Sequence, residues 1–257
     1  MSGETHSVVL YDASDGIARI TLNRPDKRNA LNDELIAALK DALRRANNDS
    51  QVRVVILSGS GSDFCSGADL AALQKISSFT VAENLRDAQS LMELFLLIRT
   101  VNPPVVAAVR GRALAGGCGL ALACDIVLAA RSSRFGFPEV KIGFVPAMVM
   151  SILRRSASEK KAFELITTGD EIGAEEAAPL GLINHVIDDA AFDDEVNAFV
   201  QRFKRTSRSA VSLSKGLFYK IDSLAFAEAL GAGADINAIA RMTEDCQKGI
   251  ARFLRKE

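Results

Sequence analysis

The chain contains no tryptophan, two tyrosines and two histidines in 257 residues. With only His6 and His185 to supply imidazole, a histidine-based metal site has too few ligands, and His185 reads as an ordinary structural residue. The four cysteines, Cys65, Cys118, Cys124 and Cys246, include no CxxC pair. That removes zinc-ribbon and dithiol redox chemistry and leaves reduced thiols acting as small buried hydrophobes in a cytoplasmic protein. No uninterrupted apolar run approaches the roughly eighteen residues of a membrane span. Residues 1–6 lack the charged and then apolar pattern of a secretory leader. A soluble, unsecreted protein without a membrane partner is expected. Charge of one sign is also missing: 31 Lys and Arg stand against 32 Asp and Glu, for a net charge of -1, so nothing pulls toward nucleic acid. There is no G-x-G-x-x-G for a dinucleotide and no G-x-S-x-G elbow for a serine hydrolase. Gly111 and Gly116 have the spacing of a phosphate-binding loop, but Gly117 and Cys118 stand where Lys and Ser or Thr would be needed.

What is present is concentrated in two glycine-flanked segments about fifty residues apart. The first is Asp63-Phe64-Cys65-Ser66-Gly67-Ala68-Asp69-Leu70, and the second runs from Gly111 through Gly116-Gly117-Cys118-Gly119. Each follows a short run rich in β-branched residues, 52–57 and 105–109, which reads as a buried strand. Small residues at a strand end let bare backbone N–H groups approach a ligand, and Leu120-Ala121-Leu122-Ala123 can continue the second segment as a helix whose positive end adds to the effect. Two N–H groups brought together in this way make an oxyanion hole.

The rest of the first half alternates strand with helix or turn, predicting an α/β fold. Runs at 8–11 and 17–22 flank a turn and suggest a hairpin. Asn32-Asp33 supplies an N-cap for a helix carrying Leu35, Ile36, Leu39, Ala42, Leu43 and Ala46 at helical spacing, and a second amphipathic stretch covers 82–99. Beyond about residue 157 strand signals nearly vanish, 183–187 excepted, and helical patterns cover 159–167, 191–205, 208–219, 225–242 and 244–254. With 48% hydrophobic and 25% charged residues and no linker-like stretch, one core with a packed helical appendage is expected.

A series of blocks taken in order resembles the crotonase superfamily, also called the enoyl-CoA hydratase/isomerase family. They are Ile20-Thr21-Leu22-Asn23-Arg24-Pro25 with Asn29-Ala30-Leu31-Asn32, the two glycine segments, Ala123-Cys124-Asp125, Phe135-Gly136-Phe137-Pro138-Glu139, Gly181-Leu182-Ile183 with Val186, and 249–254 at the end. The resemblance implies a crotonase-like spiral of ββα turns over 1–195 carrying the acyl-CoA site. A C-terminal helical region, 196–257, would pack on it and mediate assembly into a homotrimer or homohexamer. It implies an acyl-CoA thioester as substrate, bound along Ser66, Gly67, Ala68, Asp69, Leu70, Gly116 and Gly119. By motif position the oxyanion donors would be the backbone N–H groups of Ser66, where many relatives carry alanine, and Gly116. No cofactor is implied beyond the coenzyme A of the substrate.

Glu139 is the candidate proton-transfer group. Its neighbours Phe135, Phe137, Val140 and Ile142 are apolar, and a carboxyl in apolar surroundings has its pKa raised toward working pH. Gly119 departs from the family, whose well-known hydratases carry there a second glutamate that helps to hold and deprotonate water. With Glu139 alone the expected reaction is hydration of a trans-2-enoyl-CoA to the 3-hydroxyacyl-CoA. Two alternatives remain: a Δ3-Δ2-enoyl-CoA isomerase using the same glutamate, and a non-catalytic acyl-CoA-binding subunit. Arg24, Lys27 and Arg28 could meet coenzyme A phosphates or form a solvated turn. Phe253 and Lys256 resemble C-terminal positions that reach a neighbouring subunit's coenzyme A. The apolar stretch 144–150 would line the acyl pocket or belong to the core.

Overall fold

A computed structural model describes residues 7–255; the expectations for His6, for the rest of residues 1–6 and for Lys256 fall outside them. Among the described residues nine strands form two sheets. The larger has the order β1 (Val9–Ser14), β2 (Ile17–Leu22), β3 (Val54–Gly59), β4 (Val105–Val109), β6 (Ile126–Ala130) and β9 (His185–Ile187), and the smaller joins β5 (Arg112–Leu114), β7 (Arg134–Gly136) and β8 (Glu171–Gly173). β1 and β2 form the expected hairpin, closed by Asp15 and Gly16, both at positive φ, as a two-residue turn between right-twisted strands requires. From β2 onward every pairing in the larger sheet is parallel.

Both faces of that sheet are covered, which is why its strands read as unbroken apolar runs. Val55, Leu57, Val105, Ala107, Val127 and Ala129 face one core, and Val54, Ile56, Val106, Ala108, Leu128 and Ala130 face the other. The first core receives α1 (Asp33–Asn48), α3 (Val81–Thr100) and α4 (Gly116–Ala123); the second receives Phe192, Val196 and Val200 of α8 (Phe192–Val200). The boundary expected at 195/196 therefore falls inside a helix that belongs to the core. Asn32 caps α1 through its side chain, as the sequence predicts, and Thr80 with Glu83 forms a capping box on α3.

Each spiral turn passes from the large sheet to a second, much shorter layer before entering a helix. In the later turns that layer is β5, β7 and β8. In the earlier turns it shrinks to single bridges, Cys65 with Ala113 and Leu31 with Ala68. The chain between β3 and α2 (Leu70–Ile76) thereby lies directly against the start of α4. α5 (Ala147–Ser156), α6 (Glu159–Thr168) and the one-turn α7 (Ala174–Ala177) follow β7. The stretch 144–150, left open between pocket and core, is divided: Val149 of α5 is buried, whereas Phe144 and Val145 are exposed.

α9 (Arg208–Lys220) docks on α3. The docking runs through one buried cation: the Lys215 ammonium donates to the carbonyls of Ile98 (2.8 Å) and Pro103 (3.0 Å) and pairs with Asp125 at 2.8 Å. The same carboxylate accepts from the Tyr219 hydroxyl at 2.8 Å and from the Val105 N–H at 2.6 Å. α10 (Phe226–Arg241) and α11 (Glu244–Leu254) bury no residue in this chain. Among the described residues no helix is long and apolar enough to cross a membrane.

Candidate active site

Backbone hydrogen bonding decides which N–H groups of the first glycine segment remain available. The Phe64 N–H donates to Arg110 O, Cys65 to Arg112 O, Ser66 to Arg28 O at 3.0 Å and Asp69 to Leu31 O at 2.9 Å. Between residues 64 and 69, Gly67 and Ala68 are the two whose N–H groups lack an acceptor among the described residues, and of these Gly67 is buried whereas Ala68 is exposed. The expectation for Ser66 is corrected accordingly. A donor already engaged by the Arg28 carbonyl is not available to a substrate, and the vacant N–H on an exposed residue lies two residues further on.

The second expected donor is Gly116. Gly116 opens α4, so its N–H belongs to the first turn, which has no intrahelical partner and carries the positive end of the helix. Close packing holds the two segments together. A Cβ on Gly67, whose φ is +99°, would come within 2.7 Å of the Ala115 Cβ, and one on Gly117 within 2.3 Å of Cys65 O. Ala115 itself takes φ 52° and ψ -128°, a strained conformation for a residue with a side chain, and it turns the chain from β5 into α4.

Glu139 lies on a short 3-10 turn, Pro138–Ile142, started by Pro138 and closed by Gly143 at positive φ. Its carboxyl is half-buried, and one oxygen, Oε2, is fully buried without a hydrogen-bond partner among the described residues. Burial raises its pKa above the usual carboxylate range, with a backbone hydrogen bond opposing in part. Glu139 is close enough to the buried Cys118 thiol, two residues along α4 from Gly116, for its charge to help push that thiol's pKa up, after burial as the main cause. A half-buried carboxyl with one unpartnered oxygen and a raised pKa therefore stands near the helix that offers the Gly116 N–H. That arrangement suits a proton acceptor next to a developing oxyanion.

The region around Gly119 is apolar and full. A Cβ there would meet Val149 Cγ2 at 2.7 Å and the Phe95 ring at 3.1 Å, so no second carboxylate fits without displacing both. Leu31 and Leu91 flank Gly116 in the same way, at 3.2 and 3.8 Å from a Cβ built there. The basic cluster divides. Arg24 is nearly buried, pairing with Asp69 at 2.7 Å and donating to Ala30 O, and so is turned inward rather than toward phosphates. Lys27 is exposed with no ion pair among the described residues, and Arg28 is an exposed cation 4.0 Å from Asp63. Asp69 and Leu70 start α2, Asp69 as its N-cap. Phe253 is exposed at the far end of α11. His185 is exposed, with its ring 5.5 Å from that of Phe199 and tilted 57° to it. No group of three or more potential metal ligands occurs among the described residues.

The chain is similar to known enoyl-CoA hydratases. The enoyl-CoA hydratase/isomerase family model matches residues 12–257. A Thermus thermophilus protein, provisionally named an enoyl-CoA hydratase, is 39% identical over 240 residues, covering 93% of this chain and 95% of its own. The crotonyl-CoA hydratase of Syntrophomonas wolfei is 34% identical over 250 residues, with 96% and 95% covered. The crystal structure of an enoyl-CoA hydratase from Mycobacterium smegmatis superimposes with a TM-score of 0.93 at 32% identity, covering 98% of each chain.

Proposed function

The chain belongs to the enoyl-CoA hydratase/isomerase family, and from that premise we propose that it adds water to a trans-2-enoyl-CoA, with Glu139 as the base and the N–H groups of Ala68 and Gly116 as the oxyanion hole. The carrying observation is the half-buried Glu139 carboxyl with an unpartnered buried oxygen. Glu139 takes a proton from water as the water oxygen bonds to C3. The electrons of the C2–C3 double bond move toward C1 and give an enolate, whose oxygen accepts from Ala68 and Gly116. Glu139 then returns the proton to C2, leaving the 3-hydroxyacyl-CoA. Every step is a proton transfer or an addition to a conjugated double bond, chemistry that calls on no metal or redox group. Lys27 and Arg28 are the exposed cations on the turn before α1 that could meet coenzyme A phosphates.

A second reading rests on the filled space at Gly119. With Val149 and Phe95 in place of a second water-holding group, the same base and oxyanion hole would carry a proton from C2 to C4 of a 3-enoyl-CoA. Chromatographic product analysis after offering a 2-enoyl-CoA and a 3-enoyl-CoA separately decides. A 3-hydroxyacyl product from the first supports hydration, a 2-enoyl product from the second supports isomerisation, and no conversion of either leaves a binding subunit.

The assembly we propose is a trimer or hexamer built through residues 196–257. Its support is the exposed apolar set on α9 to α11: Phe218, Phe226, Leu230, Ile239, Met242 and Phe253. A cytoplasmic location is supported by four unpaired cysteines, three of them buried.

A further inference from the structure

We propose that Arg24 is a positioning residue for the oxyanion hole, acting through Asp69 to hold the Ala68 N–H in place; the proposal rests on the donor assignment above. Ala68 belongs to a single-residue bridge with Leu31, closed by Leu31 N–H to Gly67 O at 2.7 Å and Asp69 N–H to Leu31 O at 2.9 Å. One isolated bridge is a weak clamp for a group that must be held within a few tenths of an ångström.

The Arg24 guanidinium spans that bridge. One nitrogen donates to the carbonyl of Ala30, the neighbour of Leu31, at 2.5 Å, and the other to the carboxylate of Asp69, the neighbour of Ala68, at 2.7 Å. Its planar fork suits two fixed acceptors in a way a lysine ammonium does not. Both side chains are largely withdrawn from water, at 15% and 10% exposure, so the pair is not the screened surface kind that contributes little. Arg24 itself is anchored: its backbone N–H donates at 2.9 Å to the side chain of Asn29, which is fully buried. The Asn29 amide in turn donates to Ser60 O (2.9 Å) and Asp63 O (2.8 Å), just before the same glycine segment. The remaining oxygen of Asp69 accepts the Ala71 N–H at 2.8 Å and caps α2. Asp69 is therefore fixed from both sides, with Ala68 immediately before it. The hydrogen bond from Arg24 is also the main cause holding the Asp69 carboxyl below the usual carboxylate range.

Oxyanion contacts strengthen as charge develops, so a displaced donor lowers kcat and leaves ground-state binding alone. Arg24→Met should lower kcat on the order of 10–100-fold, with KM and the Kd of a saturated acyl-CoA within about twofold. Arg24→Lys, which keeps the charge and one donor, should recover part of the loss. The decisive measurement is a double-mutant cycle with Asp69→Asn, each variant first shown to be folded by its thermal melt. Once Asp69→Asn has released the loop, adding Arg24→Met should cost nothing further, and the double variant leaves no buried unpaired charge. Fully additive losses, or a raised KM with kcat kept as a phosphate contact would give, overturns the proposal. The donor assignment is tested separately by Ala68→Pro, which deletes the N–H. If that variant is folded and fully active, the assignment fails whatever the Arg24 cycle shows.

Discussion

At Glu139 catalysis and stability pull in opposite directions. Burial raises its pKa, so the native state binds that proton more tightly than the unfolded chain does. The resulting stabilisation is present below the unfolded carboxylate pKa and is lost as pH rises through the folded value, so at neutral pH the ionised side chain is a cost. Glu139→Gln should therefore match or exceed the wild-type Tm at neutral pH, the gap closing as the solution is acidified into the carboxylate range. Turnover should fall about 10²–10⁴-fold. Wild-type kcat/KM should rise with pH through the raised value, because the base works ionised. An amide variant with turnover intact would place proton transfer elsewhere, and a clearly less stable one would contradict the cost assigned to the buried ionised carboxyl. Glu139 was legible in the sequence because Phe-Gly-Phe-Pro-Glu is local. The oxyanion donor proposed above was not: which N–H is vacant depends on where the Arg28 carbonyl lands, and Ser66 and Ala68 look alike until that contact forms. Gly119→Glu carries a similar lesson. The sequence suggests that a second carboxylate there would favour hydration, but the contacts with Val149 and Phe95 predict that it lowers 2-enoyl hydration and 3-enoyl isomerisation alike. A gain in hydration alone, measured with both substrates, would contradict this. Val149→Ala together with Gly119→Glu should recover activity where Gly119→Glu alone does not.

Among the elements, length separates what the sequence announced from what it did not. Strands of five or six residues buried on both faces, such as β3 and β4, carry an unmistakable apolar run, α1 shows both its cap and its periodicity, and α3 shows its periodicity. The three-residue strands β5, β7 and β8 are too short for any period to show, and their existence depends on pairing with one another. The helix α5 was masked because its first residues read as part of a longer apolar stretch. At the next level up, α9 is tied to the core by groups no pattern links: Lys215, Asp125 and Tyr219 are brought together only in the fold. Burial is the first cause lowering the Lys215 pKa, with Asp125 pulling it back up. Lys215→Ala removes the cation from a buried pair and leaves the Asp125 carboxylate with only Tyr219 and the Val105 N–H. A loss of about 3–5 kcal/mol is expected, read by denaturant unfolding. Lys215→Ala with Asp125→Asn should be less destabilised than Lys215→Ala alone, because no uncompensated charge remains. If Lys215→Ala alone costs under about 1 kcal/mol, the range of exposed pairs, then α9 is held by its apolar contacts instead.

For the whole molecule, the apolar residues divide between those that the spiral consumes and those that it leaves outside. The two cores use the strand residues, α1, α3, α4 and α8, whereas α10 and α11 contribute nothing to either. On α10, Phe226 is 81% exposed, and Met242, just past its end, is also 81% exposed. A single chain has no use for helices of this kind, since an amphipathic helix obtains most of its stability from burying its apolar face. A second copy of the same chain offers a cover, and a closed ring leaves no such face open. Light scattering should then report three or six chains across a tenfold range of concentration. Phe226→Asp with Met242→Asp should shift the mass toward one chain while the far-ultraviolet circular dichroism of the spiral core persists, because neither side chain reaches either core. Thermal stability of the wild type should rise with protein concentration, and that of the double variant should not. A wild-type protein that stays monomeric at every concentration would mean that α10 and α11 stand uncovered in solution, and the assembly proposed through residues 196–257 would fall.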